Sequence, residues 1–344
     1  EAVEQAVADI RTADLDHVMR YWGDPLDVLC GILRGLFVPA DGHKFICCDF
    51  SAIEAVVAAC LSGCQWRIDV FAGKGNIYEL SASKITGTPV ETYEQYKADN
   101  GAHHPDRKKI GKVAELASAY GGWIGAWRAF GAEGEDWEIK RQILAWREAS
   151  PEIVEMWGGQ YRQCPSGAWS FTPELFGLEG AAVAACLYPG TPYAYRDITY
   201  VVDNDILHCV LPSGRSLYYH RPRLVEVQDR RAKQPAWQIT FEGWNSNPTK
   251  GPIGWVRMDT FGGRLFENVV QATARDIQAA AILNCEAAGY SAVMHTHDEV
   301  TAEVPDDAQY SVAAMVEIME QRPAWASWWP IRAAGWEGLR YGKD

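Results

Sequence analysis

The spacing of apolar residues changes along the chain from a helical period to a strand-like one. The acidic segment 1–22 and the segment 26–36 carry apolar side chains at helical spacing, and a Gly-Asp-Pro turn at 23–25 separates them. The run KFICCDF (44–50) is short and apolar, which predicts a buried strand. The first fifty residues are therefore expected to form two helices followed by one strand.

A helix is expected directly after this strand. Ser51, with Glu54 three residues later, is a capping-box pattern, and Gly63 stops the helix. Further helices are expected at about 106–120, 136–149, 151–164, 264–288 and 306–321.

Strand-like patterns return in the second half of the chain. The segment 198–244 alternates polar and apolar residues around a Pro-Ser-Gly turn, which predicts a hairpin or a three-stranded meander. The segment SAVMHTHDEVTAEVP (291–305) predicts two strands that meet at His297 and Asp298. Helices and strands are interleaved without a βαβ rhythm, so the expected fold class is α+β.

Composition limits the class of protein. The 344 residues are 48% hydrophobic and 22% charged, enough to bury a core in about two domains. No apolar run reaches the roughly 18–20 residues of a spanning helix and no signal-peptide pattern opens the chain, which excludes membrane and secretory classes. Because the chain starts with Glu1 rather than Met, we expect it to be excised from a longer one. Nine irregularly spaced cysteines favour a reduced, intracellular chain, and the pair Cys60 and Cys64 has no matching second pair for structural zinc.

The net charge of −13 argues at first against a polyanionic partner, but the charge is unevenly distributed. Residues 1–28 and 298–320 are strongly acidic, whereas residues 107–112 hold four basic side chains and residues 215–233 hold six. A phosphate-binding surface in the middle of the chain is therefore compatible with the overall charge.

Two aspartates lie where a metal site can form. Asp49 ends the buried strand and Asp298 lies at the tip of the predicted hairpin. Carboxylates brought together on one sheet offer the hard oxygen ligands that Mg²⁺ prefers. Either residue alone has a simpler interpretation, since an aspartate at a strand end is commonly a helix cap.

The helix at 107–120 adds a second candidate site. Lys108, Lys112, Leu116 and Tyr120 are four residues apart and are expected to form one stripe on the helix. Such a stripe can hold a triphosphate at its basic end and a base at its aromatic end. The alternative is a basic helical face that is simply solvated.

Three segments together resemble a known family. DFSAIEAVVAACLSG (49–63), RKKIGKVAELASAYGG (107–122) and HDEV (297–300) resemble motifs A, B and C of family A DNA polymerases, in the same order. The flanking segments LRGLFVPADGHKFICCDFS (33–51) and ENVVQATARDI (267–277) also resemble those of the family. The sequence is most similar to polymerases of tailed bacteriophages and prophages. The resemblance implies a right-hand polymerase fold with an antiparallel palm sheet and mostly helical fingers. The thumb and the exonuclease domain are expected to be largely absent.

The resemblance also implies domain boundaries. Residues 1–33 are expected to be a helical remnant of a thumb or linker, and residues 34–63 the part of the palm that carries motif A. Residues 64–263 are expected to be fingers with the motif B helix at 106–120 and a β-insertion at about 198–244. Residues 264–344 are expected to return to the palm with motif C and to end with a C-terminal helix.

In this family the aspartates of motifs A and C hold two Mg²⁺ ions, for which Mn²⁺ can substitute. That role falls on Asp49 and Asp298, and the carbonyl oxygen of Phe50 is expected to complete the coordination. Glu299 is expected beside the catalytic centre, and His297 is expected to contact the primer terminus. The alternative for Glu299 is an ordinary carboxylate on the hairpin surface.

Further family roles fall on the dNTP and DNA contacts. Lys112 is expected to contact the triphosphate as a catalytic group, helped by Lys108 or Arg107. Lys108 stands where the family usually has arginine, and it lacks the bidentate fork of that side chain. Tyr120 is expected to lie near the templating base, and Glu54 is expected to exclude the 2′-hydroxyl. Leu116 occupies a site that is aromatic in many members. Arg34 and Gln271 are expected to contact the DNA.

The expected function is a DNA-directed DNA polymerase in the cytoplasm of a bacterial host, acting on primer-template DNA and dNTPs. A processivity factor or a separate thumb or exonuclease segment is an expected partner, and no membrane is. Three alternatives stay open: a catalytically inactive nucleic-acid-binding remnant, a metal-dependent phosphohydrolase, and an RNA polymerase, which Glu54 disfavours. Without a thumb, weak primer grip and steep salt sensitivity are expected.

Overall fold

The computed structural model describes residues 2–163, 169–228 and 235–342. The chain divides into two compact units. Unit 1 lies within Glu1–Ser51, Ile277–Gln321 and Ile331–Asp344, and unit 2 lies within Ala52–Asp276 and Arg322–Pro330. Among the described residues, no helix has both the length and the apolar composition needed to cross a membrane.

The α-helices in the described ranges are α1 (Ala2–Arg11), α2 (Leu15–Trp22), α3 (Pro25–Ile32), α4 (Ile53–Ser62), α5 (Gln65–Asp69), α6 (Ile77–Thr86), α7 (Val90–Asn100), α8 (Val113–Ser118), α9 (Ile124–Ala129), α10 (Asp136–Ala149), α11 (Pro151–Trp157), α12 (Gly177–Leu187), α13 (Gly262–Ala287) and α14 (Val312–Met319). The strands are β1 (His43–Phe50), β2 (Gly159–Gln163), β3 (Trp169–Phe176), β4 (Tyr193–Tyr195), β5 (Ile198–Asp203), β6 (Ile206–Val210), β7 (Ser216–Gln228), β8 (Pro235–Asn245), β9 (Gly254–Thr260), β10 (Ser291–Thr296), β11 (Glu299–Pro305) and β12 (Ala333–Gly338). Helices and antiparallel sheets are thus mixed, as the expected α+β class requires.

Unit 1 is built on an antiparallel sheet with the strand order β10-β11-β1-β12. The apolar run of β1 places Phe45, Ile46, Cys47 and Cys48 in the core, because the strand is hydrogen-bonded on both sides and α14 packs against it. This confirms the predicted strand and the predicted hairpin of β10 and β11. Strand β12, which was not predicted from the sequence, pairs with β1 on the side opposite β11.

Two helix predictions in unit 1 are wrong in their extent. The segment 1–22 is two helices, because Ala13 adopts a left-handed conformation (φ 57°) and Asp14 caps α2 by accepting a hydrogen bond from the backbone N–H of His17. The helix expected at 306–321 is shorter, since Ser311 caps α14 through the N–H of Ala314.

The capping-box prediction at Ser51 is also wrong. The backbone N–H of Ser51 bonds to the carbonyl oxygen of Arg332 (2.8 Å), so this residue still belongs to the unit 1 backbone network. The N-cap of α4 is Ala52, which has φ 51° and makes no side-chain capping bond. Gly63 ends α4 in a left-handed conformation, as predicted.

In unit 2, the helix expected at 151–164 ends at Trp157. Gly158 and Gly159 have φ of +70° and +112°, which directs the chain into β2 instead of another helical turn. A Cβ on Gly158 would lie 2.0 Å from the carbonyl oxygen of Phe176, so only glycine permits this close approach.

The β-rich part of unit 2 is larger than predicted. Strands β4 to β9 form a six-stranded antiparallel meander in sequence order, and α12 packs against it. The predicted Pro-Ser-Gly turn is present, and Ser213 and Arg215 attach it to Asp276 of α13. Residues 229–233 of the basic segment 215–233 lie outside the described residues.

Candidate functional site

The two candidate metal ligands of unit 1 come from neighbouring strand ends. Asp49 is the Cα partner of Glu299 in the β1–β11 ladder. The next residue, Phe50, donates its backbone N–H to the carbonyl oxygen of Asp298 (3.3 Å). The register of one pair of strands therefore places both predicted aspartates at the same end of the sheet, and both side chains are half-buried.

The turn between β10 and β11 fixes His297 beside Asp298. His297 has φ 56° and an exposed side chain, and its Nδ1 lies 3.1 Å from Asp298 Oδ1. Turn geometry thus holds a ring nitrogen against one carboxylate oxygen of the candidate site.

Glu299 is a buried carboxylate, which excludes its interpretation as an ordinary side chain on the hairpin surface. It is 4% exposed, and its Oε1 accepts a hydrogen bond from the hydroxyl of Tyr341. Its backbone carbonyl accepts another from Gln278 Nε2 (3.2 Å). Sequence reasoning missed Tyr341 and Gln278, because nothing local indicates which buried group each one reaches.

Arg34 influences the pKa of Tyr341, the residue that bonds to Glu299. Burial raises the pKa of Tyr341, and the adjacent carboxylate of Glu299 raises it further, because ionised tyrosine would add a second negative charge. The positive charge of Arg34 acts in the opposite direction on the same pKa. Arg34 is therefore close enough to Tyr341 for its charge to act there, while its own side chain remains exposed.

The residues at this strand end fit a hard divalent cation in their donor chemistry. Asp49 and Asp298 supply two carboxylates, the ligands that Mg²⁺ usually takes from a protein alongside water and substrate phosphates. Within the described part of the chain, no cluster of three or more His, Cys, Asp or Glu side chains could hold a metal ion.

The pair Cys60 and Cys64, the other candidate for a metal site, consists of buried thiols. Burial raises the pKa of both thiols to about 12, so both carry their protons at neutral pH.

In unit 2, the motif B segment differs from the expected uniform α-helix. Arg107–Lys112 is π-helical and continues into α8. Because π-helical hydrogen bonds span five residues instead of four, Lys112 no longer lies directly one turn after Lys108. The predicted four-residue stripe is therefore wrong in its first turn, although Lys108, Lys112 and Leu116 are all exposed.

A close backbone contact accompanies the π-helical turn. A Cβ on Gly111 would lie 1.8 Å from the carbonyl oxygen of Tyr78 in α6, so glycine alone permits this packing. The Arg107 guanidinium lies over the Tyr78 ring, 5.1 Å from its centroid, and its Nε is buried without a hydrogen-bond partner. Arg107 is thus positioned by α6, whereas Lys108 faces solvent.

Glu54 and Tyr120, two of the expected nucleotide contacts, are hydrogen-bonded to each other in unit 2. The Tyr120 hydroxyl donates to Glu54 Oε2 (3.3 Å), and the Tyr120 ring packs on Phe266 with centroids 6.0 Å apart. Burial raises the pKa of Tyr120, and Glu54 and Glu267 raise it further. Burial and Glu54 also raise the pKa of Glu267, against the opposing charge of Arg264. Sequence reasoning missed Glu267.

A buried ion pair supports α8 from behind. Arg67 makes a two-pronged contact with Glu115, and their side chains are 2% and 6% exposed. Glu115 Oε1 also accepts from Ser81 and from Trp146 Nε1 (3.0 Å). This network joins α5, α6, α8 and α10, and sequence analysis missed it because the partners are far apart in sequence.

Arg147 and the expected DNA contact Gln271 also lie in unit 2. Arg147 donates to the carbonyl oxygens of Gly121 (3.4 Å) and Gly122 (3.1 Å), directly after Tyr120, and its guanidinium lies over the ring of Trp157. Gln271 is exposed on α13. Arg147 was not among the predicted site residues.

Two known proteins resemble the chain over most of its length. No protein-family model matches the chain. The DNA polymerase of Bacillus phage SP02 is 36% identical over 320 residues, which is 92% of this chain and 44% of that polymerase. A solved structure of the POL domain of Pol1 from M. smegmatis, in complex with DNA primer-template and dNTP, matches with a TM-score of 0.54 and 16% identity and covers 90% of this chain and 42% of that one.

The chain spans less than half the length of the polymerase from phage SP02. Its likeness to the mycobacterial structure concerns the fold. Over most of its length the chain is therefore a relative of a phage DNA polymerase, and its fold matches part of a polymerase POL domain.

Proposed function

We propose that the chain is the palm and fingers of a family A, template-directed DNA polymerase that adds dNMP to a primer 3′-hydroxyl. The observation that carries this proposal is the register of β1 and β11, which brings Asp49 and Asp298 to one strand end. The relationship with a phage DNA polymerase supports it, as does a fold shared with a POL domain that was solved with primer-template and dNTP. In this proposal unit 1 supplies the palm residues and unit 2 the fingers.

Asp49, Asp298 and the carbonyl oxygen of Phe50 would hold two Mg²⁺ ions, with Mn²⁺ as a substitute. When bound, these ions supply activation of the primer 3′-hydroxyl and neutralisation of the leaving pyrophosphate. His297 contacts the primer terminus and orients Asp298 through its ring nitrogen. The hydrogen bond from Tyr341 holds the Glu299 side chain in place next to this strand end.

The motif B segment binds the nucleotide in this proposal. Lys112 and Lys108 are exposed and contact the phosphate oxygens with charge-assisted bonds. Arg107, stacked on Tyr78, gives the guanidinium contact that Lys108 cannot give. These cations stabilise the charge that develops on the triphosphate during transfer.

Selection of the sugar and of the base belongs to a second set of residues. The hydrogen bond from Tyr120 fixes the carboxylate of Glu54, which then excludes a 2′-hydroxyl by its position. Leu116, 44% exposed, takes the place that is aromatic in many family members. Arg34 and Gln271 complete the contacts with primer-template DNA.

A specific observation favours the alternative of a polymerase part that works with a further segment. The segment from α2 to the start of β1 in unit 1 exposes a series of large apolar side chains, which a thumb, an exonuclease segment or a processivity factor would cover: Leu15, Met19, Tyr21, Leu26, Leu29, Leu33, Leu36, Phe37 and Val38.

We place the protein in the cytoplasm of a bacterial host, where primed DNA and dNTPs are available.

Primer extension on a short primed template with four dNTPs and Mg²⁺ tests the proposal. We expect template-matched extension by the parent chain and by Asp306→Asn, and none by Asp298→Asn. Asp306, the matched control, is an exposed aspartate that directly follows β11. Binding of primed DNA without extension would indicate an inactive remnant or a missing segment. Phosphate release from dNTP without primer would indicate a phosphohydrolase.

A further inference from the structure

The six-stranded sheet of unit 2 has one covered face and one exposed face. Side chains alternate along each strand, so Leu207, Tyr219 and Ile239 are buried on the face that packs against α12. The opposite face carries aromatic and arginine side chains from β7, β8, β9 and the bulge in β7. We call it the aromatic–arginine face: Tyr218, His220, Arg221, Trp244, Trp255 and Arg257.

The aromatic rings on this face are exposed. Trp244 and Trp255 are Cα partners in the β8–β9 ladder and are 59% and 61% exposed. Their rings are nearly perpendicular (85°) with centroids 6.3 Å apart, and His220 packs edge-on against Trp255 (5.6 Å). Because the two indoles meet edge to face, they do not cover each other as stacked rings would. Tyr218 is 57% exposed at the same level of the sheet.

One carboxylate fixes two arginines beside these rings. Arg221 and Arg257 both bond to Glu242, at 2.7 and 3.2 Å, and their side chains remain 62% and 39% exposed. Two guanidinium groups against one carboxylate leave an excess positive charge. The geometry therefore holds two phosphate-binding groups without burying them.

The described part of this sheet is balanced in charge, unlike the chain as a whole. Residues 193–228 and 235–260 contain six basic and six acidic side chains, whereas the whole chain has a net charge of −13. The sheet therefore lacks the excess of negative charge that would oppose binding of a polyanion.

We infer that the aromatic–arginine face binds single-stranded DNA, namely the unpaired template strand of a primer-template. Unpaired bases present flat faces that stack on exposed tryptophans, whereas the bases of a duplex are covered by their neighbours. The arginines contact the phosphates between the stacked bases. The inference rests on the proposed function for the identity of the strand, and it concerns residues that take no part in the proposed chemistry.

Fluorescence anisotropy with the full chain and two labelled primer-templates tests the inference. One DNA has a 5′ overhang of about 12 nucleotides, within the range that one binding platform covers, and the other is blunt. The double variant Trp244→Ala/Trp255→Ala is expected to lose about 10- to 100-fold in affinity for the overhang DNA and to bind blunt DNA as before. Trp328→Ala, at an equally exposed tryptophan of unit 2 (59%), is the matched control and is expected to change neither affinity.

Two further arms separate stacking and charge from general damage. Trp244→Phe/Trp255→Phe keeps flat rings and is expected to retain most of the overhang affinity. Arg221→Gln/Arg257→Gln is expected to reduce the salt slope of overhang binding by about 1.4, the equivalent of two single-strand phosphate contacts.

The outcomes are distinct from those of the primer-extension test. Unchanged overhang affinity in the alanine variant, or an equal loss for blunt DNA or in Trp328→Ala, overturns the inference and leaves a protein partner as the occupant of this face. Overhang-specific loss without any primer extension by the parent chain would support the face and contradict the polymerase proposal.

Discussion

Removal of the charge of Glu115 is expected to destabilise unit 2 more than any comparable change on its surface. Glu115 accepts hydrogen bonds from Arg67, Ser81 and Trp146, and both members of its ion pair are almost completely buried. Glu115→Gln keeps the size of the side chain and leaves the Arg67 guanidinium buried without an opposite charge. The perturbation is therefore electrostatic and not a cavity.

The magnitude follows from this burial. Removing one partner of a buried ion pair costs about 3–5 kcal/mol. Arg67 keeps a hydrogen bond to Ser150 (3.2 Å) and lies over the rings of Trp66 and Trp146, contacts that compensate part of the loss. We therefore expect about 3 kcal/mol for Glu115→Gln, which lowers the melting temperature by roughly 6–12 °C for a unit of this size.

Urea unfolding monitored by tryptophan fluorescence measures the effect, with Glu94→Gln on the exposed face of α7 as the matched control. The control is expected to stay within about 0.5 kcal/mol of the parent. In a double-mutant cycle, Arg67→Met/Glu115→Gln is expected to lose about as much as either single variant, because the buried charge is then gone. Additive losses of about 6 kcal/mol would refute the reasoning.

Three other predictions use the same unfolding assay. Gly111→Ala is expected to cost about 2 kcal/mol, because the new Cβ would collide with a carbonyl oxygen of α6, whereas Gly125→Ala, with open space around it, is expected to cost nothing; equal effects would contradict the close-packing argument. Burial raises the pKa of Glu267 above its ordinary value of 4.5, so the folded protein binds a proton at this carboxyl group more tightly than the unfolded chain does. The contribution of this group to the free energy of unfolding therefore falls as pH rises above 4.5. Glu267→Gln is expected to stabilise the protein at neutral pH, with a gain that disappears below about pH 4; a gain that persists there would exclude a titration effect. Tyr341→Phe removes a donor from the buried carboxylate of Glu299 and is expected to cost about 1–3 kcal/mol, so an unchanged free energy of unfolding would show that the bond is not needed.

Elements with strong local signals were predictable from the sequence. The apolar run of β1, the hairpin around His297 and Asp298 and the long helix α13 all appear within a few residues of their predicted limits. Their periodicity and turn residues act over neighbouring positions, so no knowledge of packing was needed. The same applies to Gly63 and Gly289, which end their helices with positive φ.

Predictions that assumed an uninterrupted local pattern were wrong. The spacing of motif B predicted a regular α-helix, but the approach of Gly111 to α6 is accompanied by a π-helical turn that moves Lys112 relative to Lys108. The Ser51 capping pattern was satisfied in sequence, yet the sheet of unit 1 holds the Ser51 backbone and leaves Ala52 as the cap. In both cases a tertiary contact outweighs a local preference of about 1 kcal/mol.

The sequence by itself determined the strand that carries Asp49 and the hairpin whose turn holds Asp298. Only the tertiary structure decided how the buried carboxylates of Glu115 and Glu299 are held. The partner of Glu115 is 48 positions away at Arg67, and the partner of Glu299 is 42 positions away at Tyr341. Burial makes such contacts strong because water no longer competes for the charges, and burial depends on which distant segments pack together. Periodicity and turn chemistry report only on neighbouring residues, so they contain no information about these pairs.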